Sequence, residues 1–167
     1  MAEPRSFDER RHDSLTILGA SGADAWVATS SADGAAHLVP LSIGWTGDDI
    51  VLVTEQRSLT ARNLSARGKA RVAVGGTRDV VMIDAEVVSE LALADGGPLL
   101  DTFADQSGWD PRSPADADAY RVIVLRPVRL QAWREANEIA GRTLMRDGAW
   151  LDEAHLPEPP HPPSGDR

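Results

Sequence analysis

The hydrophobic pattern of the chain is mostly that of short strands divided by polar turns, with helical stretches at a few places. Residues Ser6 to Leu18 predict a short helix: Ser6 can cap it and Glu9 stands at capping-box spacing. Leu15, Ile17 and Leu18 supply its apolar patch, and Gly19 can end it. Ala25–Thr29 predicts a strand, Asp33-Gly34 a tight turn, and His37–Ile43 a second strand, in which Pro40 argues for an edge, a bulge or the wall of a site. After a turn at Gly47-Asp48-Asp49, Ile50–Thr54 is apolar enough to be a strand buried on both faces. Ser58–Leu64 has helix character, ended by Gly68. Ala70–Val74 and Asp79–Val88 predict two further strands joined at Gly75-Gly76. Leu91–Phe103 predicts a helix that either breaks at Gly96-Gly97-Pro98 or begins after it, and Trp109–Ala117 a polar loop. Tyr120–Trp133 predicts a long strand with a bend at Pro127, and Asp147-Gly148 centres a small hairpin of Thr143–Met145 and Ala149–Leu151.

Six or more strands with two or three helices, mostly joined by short turns, imply an antiparallel sheet. The expected fold class is mainly β: a closed β-barrel with flanking helices, formed by one domain over residues 1–155. The Pro-rich residues 156–167 are expected to be a disordered tail.

Composition narrows the functions on offer. The chain has 167 residues, 42% hydrophobic and 26% charged, as in ordinary globular domains. It has no cysteine, which removes disulfides, thiolate catalysis and Cys-based zinc sites and suits a reducing cytoplasm, the expected location. A net charge of −9 disfavours nucleic acid and anionic membrane surfaces as partners. The N-terminus MAEPRSFDERRHD has no apolar core of a signal peptide, and no apolar run approaches the ~20 residues of a membrane span.

The chemistry concentrates in Thr54-Glu55-Gln56-Arg57-Ser58-Leu59-Thr60-Ala61-Arg62-Asn63-Leu64. An apolar strand ends at Thr54, a polar turn follows, and a helix begins near Ser58. A helix N-terminus presents unpaired N–H groups and partial positive charge, which attract phosphate. Two hydroxyls, Ser58 and Thr60, and two guanidiniums, Arg57 and Arg62, stand around it. On spacing alone a plain structural reading is also open: Ser58 as an ordinary N-cap, Arg62 as a solvated residue, Asn63 as a packing residue.

The segment also resembles the pyridoxamine-5′-phosphate-oxidase-like, flavin-binding split β-barrel family. The resemblance runs from about Asp24 to Val88, through AWVATSSADGAAHLVPLSIGW, IVLVTE, SLTARNL and ARVAV, and resumes from Tyr120 to Trp133. The family's Ser-x-Lys/Thr-x-Arg-Asn-Leu pattern, which holds the cofactor phosphate, falls on Ser58, Thr60, Arg62, Asn63 and Leu64. Thr60 stands where many members carry Lys, and Arg57 can compensate. Neither the basic second-strand residue nor the C-terminal substrate motif of the oxidases proper is present; the second strand reads Val39-Pro40-Leu41-Ser42. The C-terminal stretch AWREANEIAGRTLMRDGAWL resembles members that use a deazaflavin coenzyme.

The resemblance implies FMN or coenzyme F420 as cofactor, bound across a homodimer interface with two sites per dimer. It implies Ser58, Thr60, Arg62 and Arg57 on the phosphate and Asn63 supporting the turn. Pro40, Leu41, Ser42, Val53 and Thr54 are implied to line the ring system, and Trp133 is either core or a cofactor wall. The expected activity is oxidoreduction, with hydride transfer to a small substrate; a cofactor carrier or sensor (flavin, deazaflavin or haem) and a ligand-free dimeric domain are the rivals.

Trp26 and Trp45 are expected in the core. The four histidines, His12, His37, His155 and His161, do not fall at metal-ligand spacings, so no metal is expected. His37 reads as a strand-end surface residue or as an acid facing the cofactor. No nucleophile elbow, Rossmann fingerprint or P-loop is present.

Overall fold

A computed structural model describes residues 3–113 and 117–152; the expected C-terminal tail lies outside the described residues. The first helix, α1, spans Phe7–Leu18, and the expected capping box is formed: Ser6 Oγ accepts from the Glu9 N–H and the Glu9 carboxylate accepts from the Ser6 N–H. The strands are β1 (Asp24–Ser30), β2 (Ala36–Ser42), β3 (Gly44–Trp45), β4 (Ile50–Glu55), β5 (Lys69–Gly76), β6 (Asp79–Ala92), β7 (Tyr120–Trp133), β8 (Thr143–Arg146) and β9 (Ala149–Trp150). Two more helices, α2 (Leu59–Arg67) and α3 (Pro98–Ser107), complete the set.

All nine strands form one antiparallel sheet in the order β2-β1-β5-β6-β7-β4-β3, with β8 pairing β7 and β9 pairing β8. The sheet curls until β2 approaches β4. No ladder joins these two ends among the described residues, so the barrel is split, as the family resemblance implies, rather than closed, as the strand count alone suggests. Pro40 lies on β2, the end strand, where its missing N–H breaks no ladder on the outer side. Pro127 bends β7 as expected: the β6–β7 register jumps there, from Asp84↔Arg129 to Ala85↔Pro127. The segment Leu91–Phe103 resolves into the end of β6, a 3₁₀ turn at Leu93–Asp95, and α3, which starts at Pro98. Proline at the first helical position needs no N–H partner.

Alternation sorts the side chains into two cores. Val27, Ile50, Leu52, Leu64, Val72, Ile83, Ile123 and Leu125 fill the concave side with α1 and α2. Val51, Val53, Val122 and Val124 pack on the other face against Leu100 and Phe103 of α3. Strand β4 is therefore covered on both faces, which is why its run is apolar without alternation. At Gly44 an added Cβ would lie 2.9 Å from Phe103 Cα, so the close seating of α3 on β3 requires glycine there.

Trp26 is not in the core: it is 53% exposed. In β1 the residues Ala25, Val27 and Thr29 point inward, which turns Trp26 outward beside Pro40 on β2. Leu38, 58% exposed, shares that outer face, and Met82 and Trp133 lie on it further across the sheet. Trp45 is half-buried and packs against the concave core. No helix of the described residues is long and apolar enough to cross a membrane.

Candidate functional site

The β4–α2 turn forms as the segment's residues dictate. Ser58, in extended conformation, caps α2: its Oγ accepts from the Ala61 N–H at 3.1 Å and meets Thr54 Oγ1, at the end of β4, at 3.2 Å. One hydroxyl pair thus ties the strand end to the helix start. Gly68 ends the helix at φ 67°, its N–H donating to Leu64 O. Leu64 is wholly buried and seats α2 on the concave core.

The inward face of α2 is polar at two points. Asn63, buried, donates from Nδ2 to Thr29 Oγ1 on β1 at 3.0 Å. Thr60, 2% exposed, places Oγ1 3.2 Å from His37 Nε2 on β2. Thr29 and His37 are register partners in the β1–β2 ladder, so residues three apart on α2 meet directly opposed residues of a hairpin. His37 therefore belongs to this site. A usable signal was in the sequence: counting by twos from the inward Val39 and Leu41 puts His37 on the concave side of β2.

The outward side of α2 carries the charge. Arg57 and Arg62 are exposed, and neither has a carboxylate within ion-pair distance among the described residues. Arg71, Arg78, Arg112 and Arg126 elsewhere on the surface each hold one. The N–H groups of Leu59 and Thr60, the first two of α2, have no partner among the described residues. A cleft of about 470 Å³ opens beside Arg57, but Glu55 and Asp118 line it and repel an anion from that side.

The remaining expected site residues spread further. Pro40 and Ser42 face outward on β2, Ser42 donating to Asp24 at 2.7 Å, while Leu41 points inward and packs against the core. Val53 faces α3 and Thr54 faces Ser58, on opposite sides of β4. Trp133 sits at the end of β7, on the outer face, with the Arg142 guanidinium 5.2 Å from its ring centroid. Thr54 and Glu55, where the α2 turn begins, pair with Arg121 and Tyr120 at the other end of β7, so within one protomer Trp133 stands apart from that turn.

An antiparallel sheet curled into an incomplete barrel, with a capped helix bridging its two ends, defines a split β-barrel protein. Residues 24–134 match the family model of pyridoxamine 5′-phosphate oxidase, more than half of the chain, and the chain belongs to this family. Among solved structures it is similar to an F420 reductase, with 19% identity and a TM-score of 0.58, covering 69% of this chain and 94% of that one. General stress protein 26 of Bacillus anthracis matches with a TM-score of 0.56 at 14% identity, covering 71% of this chain and 88% of the other. A conserved hypothetical protein of Mycobacterium tuberculosis gives a TM-score of 0.60 at 13% identity, covering 75% and 85%. At these identities the likeness shows the fold. No curated protein sequence matches the chain.

Proposed function

We propose that this protein is an oxidoreductase that binds FMN or coenzyme F420 at two sites of a cytoplasmic homodimer, with the cofactor phosphate at the N-terminus of α2. The observation that carries the reading is the pair of unpartnered guanidiniums, Arg57 and Arg62, beside the free N–H groups of Leu59 and Thr60, in a chain of net charge −9. Such a chain has carboxylates to spare, so cations left without one at a helix start fit an anionic ligand.

The residues present fit the group in separate ways. Arg57 and Arg62 offer paired N–H donors to phosphate oxygens. Ser58 and Thr54 hold the turn, and Asn63 with Thr29 holds the helix against the barrel. The outer face of β1 and β2, with exposed Trp26, Leu38 and Pro40, suits the apolar ring system or a second copy of the chain. A bound flavin or deazaflavin supplies the hydride chemistry itself; the protein supplies binding, orientation and exclusion of water. Similarity to an F420 reductase and membership of an oxidase family support the cofactor class, and the choice between FMN and F420 is the experiment's to make.

The rival reading is a cofactor carrier or sensor on the same fold. Titration of the apo-protein with FMN, F420 and riboflavin tests the binding site: phosphorylated cofactors should bind and riboflavin should bind less tightly. Equal affinity for all three would remove the phosphate site. Turnover of a reduced cofactor then separates enzyme from carrier.

A further inference from the structure

Three bends in the backbone meet at the end of the barrel away from α2. The β3–β4 turn, the irregularity at Pro127 and the β8–β9 turn border a cleft of about 260 Å³. Trp45, Trp150, Met145 and Pro127 form its apolar walls, and Asp48 and Arg126 its charged ones. Gly47 and Gly148 also border it, at φ 104° and 76°, where a side chain would strain the backbone, so neither position fills the space. Ile50 pairs with Leu125 beside the cleft, whereas α2 follows Glu55. The length of β4, roughly 17 Å of strand, therefore separates the cleft from the α2 turn.

The charged walls leave one carboxylate over. Arg126 is committed to Asp49, which accepts from its Nε and Nη2 at 2.9 Å each, and an anionic ligand would have to compete with that bidentate pair. Asp48, exposed in the turn, has no ion pair and accepts no hydrogen bond through its side chain among the described residues. The two indoles are half-buried: each packs partly on the concave core and partly borders the cleft. Indole faces attract cations. Trp150 already takes one from within the molecule, the Arg11 guanidinium carbon standing 4.7 Å from its ring centroid, and Arg11 is not a wall of the cleft. Met145 and Pro127, both buried, offer apolar contact to methyl groups.

We propose that this cleft is a second binding site, for a small organic cation. The ligand is an alkylated ammonium whose methyl groups meet Trp45, Trp150, Met145 and Pro127 and whose charge is matched by Asp48. The site is separate from the cofactor phosphate site and does not depend on it, because no residue is shared and β4 lies between them.

The test is titration of the whole protein with choline and with its neutral analogue, in which a quaternary carbon replaces the nitrogen and the shape is kept. Indole N–H signals in NMR spectra report where each probe binds, with Trp45 and Trp150 assigned from Trp45→Phe and Trp150→Phe. Choline should shift those two signals saturably and bind about tenfold or more tightly than the analogue, the combined worth of ring and carboxylate contacts to a cation. Asp48→Asn, an exposed change outside the core, should weaken choline about two- to fivefold, the worth of an exposed ion pair, and leave the analogue unaffected. Saturation with FMN should leave choline affinity unchanged. Equal affinity for the two probes would reduce the cleft to an apolar crevice and overturn the proposal. Choline that leaves both indole signals unmoved, choline affinity unaltered in Asp48→Asn, or choline displaced by FMN would each overturn it as well.

Discussion

Arg62 and Asn63 are neighbours in sequence with opposite surroundings, and the difference predicts opposite phenotypes. Arg62 is exposed without a carboxylate partner, so Arg62→Ala should leave thermal stability nearly unchanged. It should weaken FMN or F420 binding by about ten- to a hundredfold, the worth of hydrogen bonds to a charged group. Riboflavin binding, measured in the same calorimetric titration, should change little; equal losses would make Arg62 a support of the fold. Asn63 is buried and bonded to Thr29, itself 7% exposed. Asn63→Leu strands the Thr29 hydroxyl and should cost about 1–3 kcal/mol in urea unfolding. An unchanged midpoint would mean that Thr29 finds another partner. Both residues were legible as members of one motif. Which faced water was not, because that depends on the angle at which α2 lies across the β1–β2 hairpin.

Elements are fastened at a few points that sequence patterns do not announce. The chain ahead of α1 and the turn after β7 meet through Arg5 and Glu138, which is 4% exposed: Arg5 Nη2 donates to Glu138 Oε2 at 2.8 Å, and the Arg5 and Arg134 backbone N–H groups also donate to this carboxylate. These bonds pull Glu138 down from 4.5 to about 2, with the Arg5 hydrogen bond the largest cause and burial opposing it. A carboxylate lowered on folding stabilises the protein above its unfolded value of 4.5, and that stability drains away as pH falls through this window towards 2. Glu138→Gln should therefore destabilise by on the order of 2 kcal/mol at neutral pH. The gap to wild type should close in melts recorded at progressively lower pH; a constant gap would mean that packing, not charge, holds the clasp. At the other end, Gly44→Ala puts a methyl against the backbone of α3 and should cost roughly 1–3 kcal/mol, read as a lower melting temperature.

Across the whole molecule the helices cover the concave side and the β3–β4 face, and the outer face of β1 and β2 is left with Trp26, Leu38 and Pro40 in water. An apolar patch at one end of a sheet favours a two-fold, self-complementary contact. The protein is expected to run in light scattering at twice its 17.9 kDa chain mass, and Trp26→Glu should shift it to the monomer. The same variant should lower cofactor affinity if the ring system sits between subunits. A wild-type protein that is monomeric at micromolar concentration would remove the interface site.

Period-two alternation, turn residues and capping boxes act over a few residues, and they placed the hairpin at Asp33-Gly34, the doubly covered strand β4, the Ser58 cap and the Gly68 stop without any structure. The family followed from the order in which these local units occur. Two things required the folded chain. Trp26 lies outside because the facing of β1 follows from which side α1 and α2 cover, and an aromatic residue alone does not carry that information. His37 joins Thr60 because β1–β2 register and α2 packing coincide at one point, a contact between residues 23 positions apart that only the assembled barrel brings together.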